Sequence, residues 1–160
     1  MAIFDFWKLK PLISSLLKEK GFQFFPEWNR YAEIYLPVED NAIPHQALPK
    51  ADFAAQLDNS YLFIEVDTGQ GVSHNSAKYF YILDKMKAKP KSVRVLHVLG
   101  PGFSVSKNNY VFHKELALFL AERIQEAFKN RFEFSYKQNS EPFNSNEEVL
   151  EWLSKELSNP

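Results

Sequence analysis

The stretch from Lys50 to Lys78, K-A-D-F-A-A-Q-L-D-N-S-Y-L-F-I-E-V-D-T-G-Q-G-V-S-H-N-S-A-K, decides how the chain is read. Asp52 to Leu57 and Tyr61 to Asp67 are predicted strands, the second rich in aromatic and β-branched residues. Asp58, Asn59 and Ser60 between them are turn formers, so the two strands form a hairpin. A helix starting near residue 74 follows.

Two registers are open to this hairpin. With the two-residue loop Asp58-Asn59, Leu57 lies opposite Ser60, Phe53 opposite Ile64 and Asp52 opposite Glu65. One face then carries Phe53, Ala55, Leu57, Leu62, Ile64 and Val66, and the other carries Asp52, Glu65 and Asp67. A three-residue loop would mix acids and aliphatics on both faces. Because a one-residue slip turns every side chain over, a buried apolar face selects the first register. Asp52 and Glu65 are then cross-strand neighbours, with Cβ atoms roughly 4.5–5.5 Å apart.

Like charges placed directly opposite destabilise a hairpin. A divalent cation offsets that, since carboxylate and carbonyl oxygens suit Mg²⁺, Mn²⁺ and Ca²⁺. The plain alternative is an acidic hairpin face left in water.

These residues resemble the PD-(D/E)XK nuclease superfamily, the restriction-endonuclease-like fold. Ala51-Asp52 stands where that family has Pro-Asp, and Glu65-Val66-Asp67 stands where it has Glu-x-Lys. Pro is not a ligand, so Ala51 is a minor departure; Asp67 in place of Lys is a larger one. Some families of the superfamily carry the lysine on the following helix, and Lys78 in H-N-S-A-K-Y-F-Y-I-L is the residue that matches. The resemblance covers roughly residues 10–100. It implies metal-assisted phosphodiester hydrolysis with Mg²⁺ or Mn²⁺ held by Asp52, Glu65 and the backbone carbonyl of Val66. Lys78 would orient the nucleophile or neutralise the transition state. Asp67 would be a third acid of the metal site or the partner of Lys78.

Outward from the hairpin, Pro11 to Lys20 is predicted as a helix with Ile13, Leu16 and Leu17 on one stripe, ended by Gly21. Residues 22–24 begin an alternating stretch, and Glu33 to Leu36 is a predicted strand stopped by Pro37. Asn41 to Pro49 is a loop holding His45, a lone histidine more often solvated than functional. The helix after Asp67 is expected to bury Ala77, Phe80, Ile82, Leu83 and Met86 and to carry Lys78 in its first turn. An early lysine opposes the helix dipole and needs a nearby acid to explain it. Ser92 to Leu99, S-V-R-V-L-H-V-L, is a strand covered on both faces, which makes strand, helix and strand a right-handed βαβ unit. His97 inside it is expected to be a core or edge histidine rather than a catalyst. A long helix over residues 109–130 is expected to bury Leu116, Phe119, Leu120, Ile124, Ala127 and Phe128. A strand at residues 131–136 and a helix at 144–157, capped by Ser145, complete the chain.

The element order opens as α-β-β-β-α-β, the order of the restriction-endonuclease-like core. The expectation is therefore one α/β domain over residues 1–160, a mixed sheet of about five strands flanked by helices.

Composition narrows the function classes. Of 160 residues, 45% are hydrophobic and 24% charged, which is ordinary globular usage. Cysteine is absent, so disulfides and thiolate metal sites are excluded. No apolar run approaches the roughly 18 residues that span a bilayer, and the charged opening M-A-I-F-D-F-W-K-L-K-P does not read as a secretory signal. The expected location is cytoplasmic, with no membrane partner. A formal net charge of −1 supplies no global attraction for nucleic acid. Phosphate contacts are therefore assigned to Lys85, Lys87, Lys89, Lys91 and Arg94, although cations at a helix C-terminus also serve solubility. The expected partner is nucleic acid, DNA before RNA, and a homodimer is the form that cutters of both strands often take. The rival from another class is an inactive nucleic-acid-binding or protein-interaction module on the same fold, with Asp67 marking the lost lysine.

Overall fold

The computed structural model describes residues 3–24, 51–68, 72–86, 89–102 and 107–158. Their elements, in order, are α1 (Phe6–Glu19), β1 (Gln23–Phe24), β2 (Phe53–Leu57), β3 (Ser60–Asp67), α2 (Val72–Lys85), β4 (Ser92–Leu99), α3 (Lys107–Phe128), β5 (Glu133–Gln138) and α4 (Asn146–Ser158). The strands form one mixed sheet in the order β1-β2-β3-β4-β5. β1, β2 and β3 pair antiparallel, and β3, β4 and β5 pair parallel. This is the α/β, five-stranded, helix-flanked architecture expected from the element order. The predicted strand at Glu33–Leu36 and the loop holding His45 lie outside the described residues.

The hairpin register is the one selected by the apolar face. Leu57 pairs with Ser60 and Phe53 with Ile64, so Asp52 and Glu65 meet at the next step beyond the ladder. Asp58 enters the turn at φ 52, a left-handed conformation that Asp tolerates better than most residues.

Both faces of the sheet are covered, as expected for a sheet flanked by helices. Phe53, Leu62, Ile64, Val66, Leu96 and Val98 face Leu9, Ile13 and Leu17 of α1 and Val149 and Leu153 of α4. The opposite face places Ala54, Phe63, Val93, Val95 and Phe134 against Tyr79, Ile82, Leu83 and Met86 of α2 and Ala121, Ile124 and Phe128 of α3. Side chains alternate along a strand, so Glu65, Asp67 and His97 fall on the second face, beneath α2.

Helix boundaries and stripes differ from expectation in instructive ways. α1 starts at Phe6 rather than Pro11, because Asp5 caps it by accepting from the backbone N–H groups of Trp7 and Lys8. Pro11 lies inside the helix, not in its first turn. α2 starts at Val72, so Lys78 sits in its second turn rather than its first. Its inward stripe takes in Tyr79, whereas Ala77 and Phe80 are exposed. In α3 the buried positions are Ala117, Ala121, Ile124 and Phe128. The two alanines allow α3 to lie close, and Phe119 and Ala127 turn to solvent. α4 opens with a reciprocal cap as expected. Ser145 Oγ accepts from the Glu148 N–H, and the Glu148 carboxylate accepts from the Ser145 N–H. Among the described residues, no helix is long and apolar enough to cross a membrane.

Candidate active site

The chemistry-bearing residues gather where the parallel strands β3 and β4 end, which is also where β2 begins. Open α/β sheets present their ligand crevices at such C-terminal strand ends. Asp52 enters from the antiparallel neighbour, Glu65 and Asp67 come from β3, His97 from β4, and Lys78 descends from α2.

Each of the three carboxylates is anchored through one oxygen. Asp52 Oδ2 accepts the Val66 N–H at 2.8 Å. Glu65 Oε1 accepts from Lys78 Nζ at 2.7 Å and also from the Tyr79 hydroxyl. Asp67 Oδ2 accepts from Asn75 Nδ2 at 2.7 Å and meets His97 Nε2 at 2.6 Å. The other oxygen of each carboxylate has no hydrogen-bond partner among the described residues.

Burial sets the electrostatics. Glu65 is 2% exposed, whereas Asp67 is half-buried and Asp52 exposed, so the acidic face is buried at Glu65 and opens to solvent at Asp52. Burial pushes the Glu65 carboxyl up to about 7; Lys78 and Tyr79 pull it back, and Asp52 pushes it further. Asp52 is exposed as a residue, yet partial desolvation of its carboxyl raises it too, against the pull of the Val66 N–H, Lys78 and Lys10 and with a further push from Asp67. Lys78 acts on both acids and Lys10 on Asp52, and both carboxyls stay raised all the same.

Asp67 does not pair with Lys78, one of the two roles expected of it. Its hydrogen bonds go to Asn75 and His97 instead. Its own carbonyl accepts from the Gly100 N–H at 2.7 Å. A Cβ on Gly100 would stand 3.2 Å from that carbonyl oxygen and 3.1 Å from the Phe4 ring, so glycine permits the approach that ties the ends of β3 and β4 together.

The expected phosphate-binding set does not join this cluster. Lys91 and Arg94 lie at the start of β4, beside Ser60, at the opposite end of the strands. From Ser92 to His97 the strand rises roughly 17 Å. Arg94 pairs with Glu156 at 2.7 Å on the α4 face, and Lys137 joins the same carboxylate at 2.8 Å. Lys89 precedes β4 at the same far end, Lys85 closes α2, and Lys87 lies outside the described residues.

Four site neighbours escaped the sequence reading. His97 is expected from the sequence to be a core or edge histidine, Tyr79 is not in the expected buried stripe, and Asn75 and Tyr136 carry no expected role in the site. The β3–β4 register sets His97 level with Glu65, on the acid face.

Were a hard divalent cation to bind here, the second oxygens of Asp52 and Glu65 would be the side-chain ligands available to it. The Val66 carbonyl leaves the strand on the same side as the N–H that meets Asp52, so it faces that edge. Among the described residues no three acidic or histidine side chains are arranged to hold a metal by themselves. A cation here would rest on two side chains, the backbone and water, as Mg²⁺ commonly does.

No family model, curated protein or solved structure matches the chain.

Proposed function

We propose that the protein is a metal-dependent nuclease that hydrolyses phosphodiester bonds in nucleic acid, with DNA the first substrate to test. The supporting observation is a buried lysine, Lys78, 2.7 Å from a nearly inaccessible Glu65, beside Asp52 on the neighbouring strand. Structural acids are rarely buried in excess of their cations, and a site that is to receive a cation has a use for them.

In this reading Asp52, Glu65 and the Val66 carbonyl hold Mg²⁺ or Mn²⁺. The bound metal supplies a lowered water pKa and neutralisation of the phosphate oxygens. The chain's own groups do the rest. Lys78 carries a fixed positive charge into the site and stabilises the charge that builds on the phosphoryl oxygens. Tyr79 and Lys78 fix the rotamer of Glu65, and the Val66 N–H fixes that of Asp52. Asp67 offers its unengaged oxygen as the acceptor that orients the attacking water. The distant Arg94 is committed to Glu156, so backbone contacts to nucleic acid come from elsewhere on the surface.

The experiment is cleavage of single-stranded and duplex DNA and RNA by the purified protein in Mg²⁺ or Mn²⁺, repeated with Asp52→Ala and Glu65→Ala. Cleavage by the parent and loss of at least about 100-fold in each variant is expected. Full activity in both variants refutes the site. Metal-independent binding without cleavage of any substrate favours the inactive binding module, the reading in keeping with the lack of a three-ligand group among the described residues.

A further inference from the structure

Three side chains from three adjacent strands form a row on the sheet face that α2 and α3 cover: Asp67 on β3, His97 on β4 and Tyr136 on β5. His97 is 1% exposed and has both ring nitrogens engaged, Nε2 with Asp67 Oδ2 at 2.6 Å and Nδ1 with the Tyr136 hydroxyl at 2.6 Å. The row is diagonal to the pairing. His97 is level with Glu65 and Gln138, so it reaches one way to the residue two beyond Glu65 and the other way to the residue two before Gln138. Packing alone asks nothing of this kind from a core residue. An aliphatic side chain, as at the neighbouring Val95, would fill a strand interior without needing two polar partners.

We propose that His97 is a positioning residue for catalysis, holding Asp67 so that its unengaged oxygen faces the reacting water. The proposal rests on the nuclease reading above. The carboxylate oxygen has only acceptors to offer, so Nε2 carries the hydrogen and donates to Asp67. Nδ1 is then the acceptor, and the Tyr136 hydroxyl donates to it. Gln138 Oε1 lies 3.3 Å from the same hydroxyl, a longer and weaker alternative. Asp67 thus sets the tautomer, Tyr136 braces the ring from its other side, His97 fixes the orientation of Asp67, and Asn75 closes the second approach to the same oxygen. Asp67 can neither rotate nor turn its Oδ2 to the site. Such a partner behind a working carboxylate is the arrangement in which a residue out of reach of substrate still governs the rate.

The test is a double-mutant cycle read by single-turnover cleavage of DNA in Mg²⁺, with thermal unfolding of each variant as the folding control. Asp67→Asn is expected to slow the bond-breaking step about 100-fold. His97→Gln, which keeps a donor but not its fixed geometry, is expected to slow it about tenfold with little change in KM. Since His97 acts through Asp67, adding His97→Gln to Asp67→Asn costs nothing further. The ¹⁵N spectrum of the parent's His97 ring is expected to place a hydrogen on Nε2 and to show Nδ1 as the acceptor. If His97→Gln does not fold, Tyr136→Phe, which removes only a hydroxyl, takes its place in the cycle. Losses that multiply, or a His97 variant as active as the parent, overturn the positioning role and leave the nuclease reading standing. A parent that cuts no nucleic acid overturns both.

Discussion

Lys78 Nζ lies 2.7 Å from Glu65 Oε1, joining the second turn of α2 to the end of β3 through a pair with side chains 9% and 3% exposed. In the second turn the helix dipole has largely faded, so the buried acid is what accounts for the inward lysine. The pair is costly to desolvate and leaves Glu65 raised even so. It is a poor device for stability and a suitable one for chemistry.

Replacing Lys78 with Met removes the charge and keeps most of the volume. Glu65 can then take up a proton and keep its bond to Tyr79, so the variant is expected to fold. Mg²⁺ should bind it at least as tightly as the parent, because one cation no longer competes with another. Cleavage should fall about 100-fold or more through loss of charge stabilisation in the transition state. Calorimetric Mg²⁺ titration beside a cleavage assay checks both; parent-like cleavage would remove Lys78 from the site.

The raised carboxyl of Glu65 makes stability depend on pH in a definite direction. Folded, it holds its proton up to about 7; unfolded, only to the ordinary 4.5. Its contribution is therefore full below about pH 4.5 and is lost as pH climbs through 7, a fall of roughly 3 kcal/mol without metal. Asp52, raised in the same direction, adds to the slope at its lower end. Urea unfolding between pH 4 and pH 8 in EDTA should show the decline in the parent, and Glu65→Gln should flatten most of it. Identical profiles for the two proteins would contradict the burial of an under-neutralised carboxyl.

Much of this arrangement was legible in the hairpin. The alternation of Phe53, Leu62, Ile64 and Val66 fixed the register, and the register brought Asp52 to Glu65. The helical pattern after Asp67 brought Lys78 over them. His97 was not legible, because a histidine within S-V-R-V-L-H-V-L has the same apolar neighbours whether it fills space or holds a carboxylate. Only the β3–β4 pairing, which one sequence does not reveal residue by residue, sets it level with Glu65. The basic run was misleading for a related reason. Proximity in sequence to α2 says nothing about which end of a parallel strand a residue occupies, and Lys91 and Arg94 enter at the end away from the acids.

Divalent cation should stabilise the parent alone. At a Mg²⁺ concentration about 100 times its Kd, the gain is roughly 2.7 kcal/mol. Asp52→Ala and Glu65→Ala, each lacking one of the two side chains that would hold the ion, should gain far less. Thermal unfolding with Mg²⁺ against EDTA reads the difference, and equal gains in all three would place the ion elsewhere.

Gly100→Ala should disturb the site without touching an acid. The new methyl presses on the Asp67 carbonyl and the Phe4 ring, whose nearest atoms stand 3.2 and 3.1 Å from its position. Relief by small backbone shifts is expected to cost about 1–3 kcal/mol. Cleavage should fall with it, since Asp67 moves with the strand end. Unfolding and cleavage measured together check this; an unchanged Tm would show that Phe4 and the strand end yield freely.

The most direct measurement is the anomalous difference map of a crystal soaked in Mn²⁺ near neutral pH. A peak bonded at roughly 2.1–2.3 Å to one oxygen each of Asp52 and Glu65, with the Val66 carbonyl beside it, is the expected result. A map with no peak between the two carboxylates, Lys78 still seated on Glu65 and Mn²⁺ in excess, would contradict a metal-dependent nuclease site here.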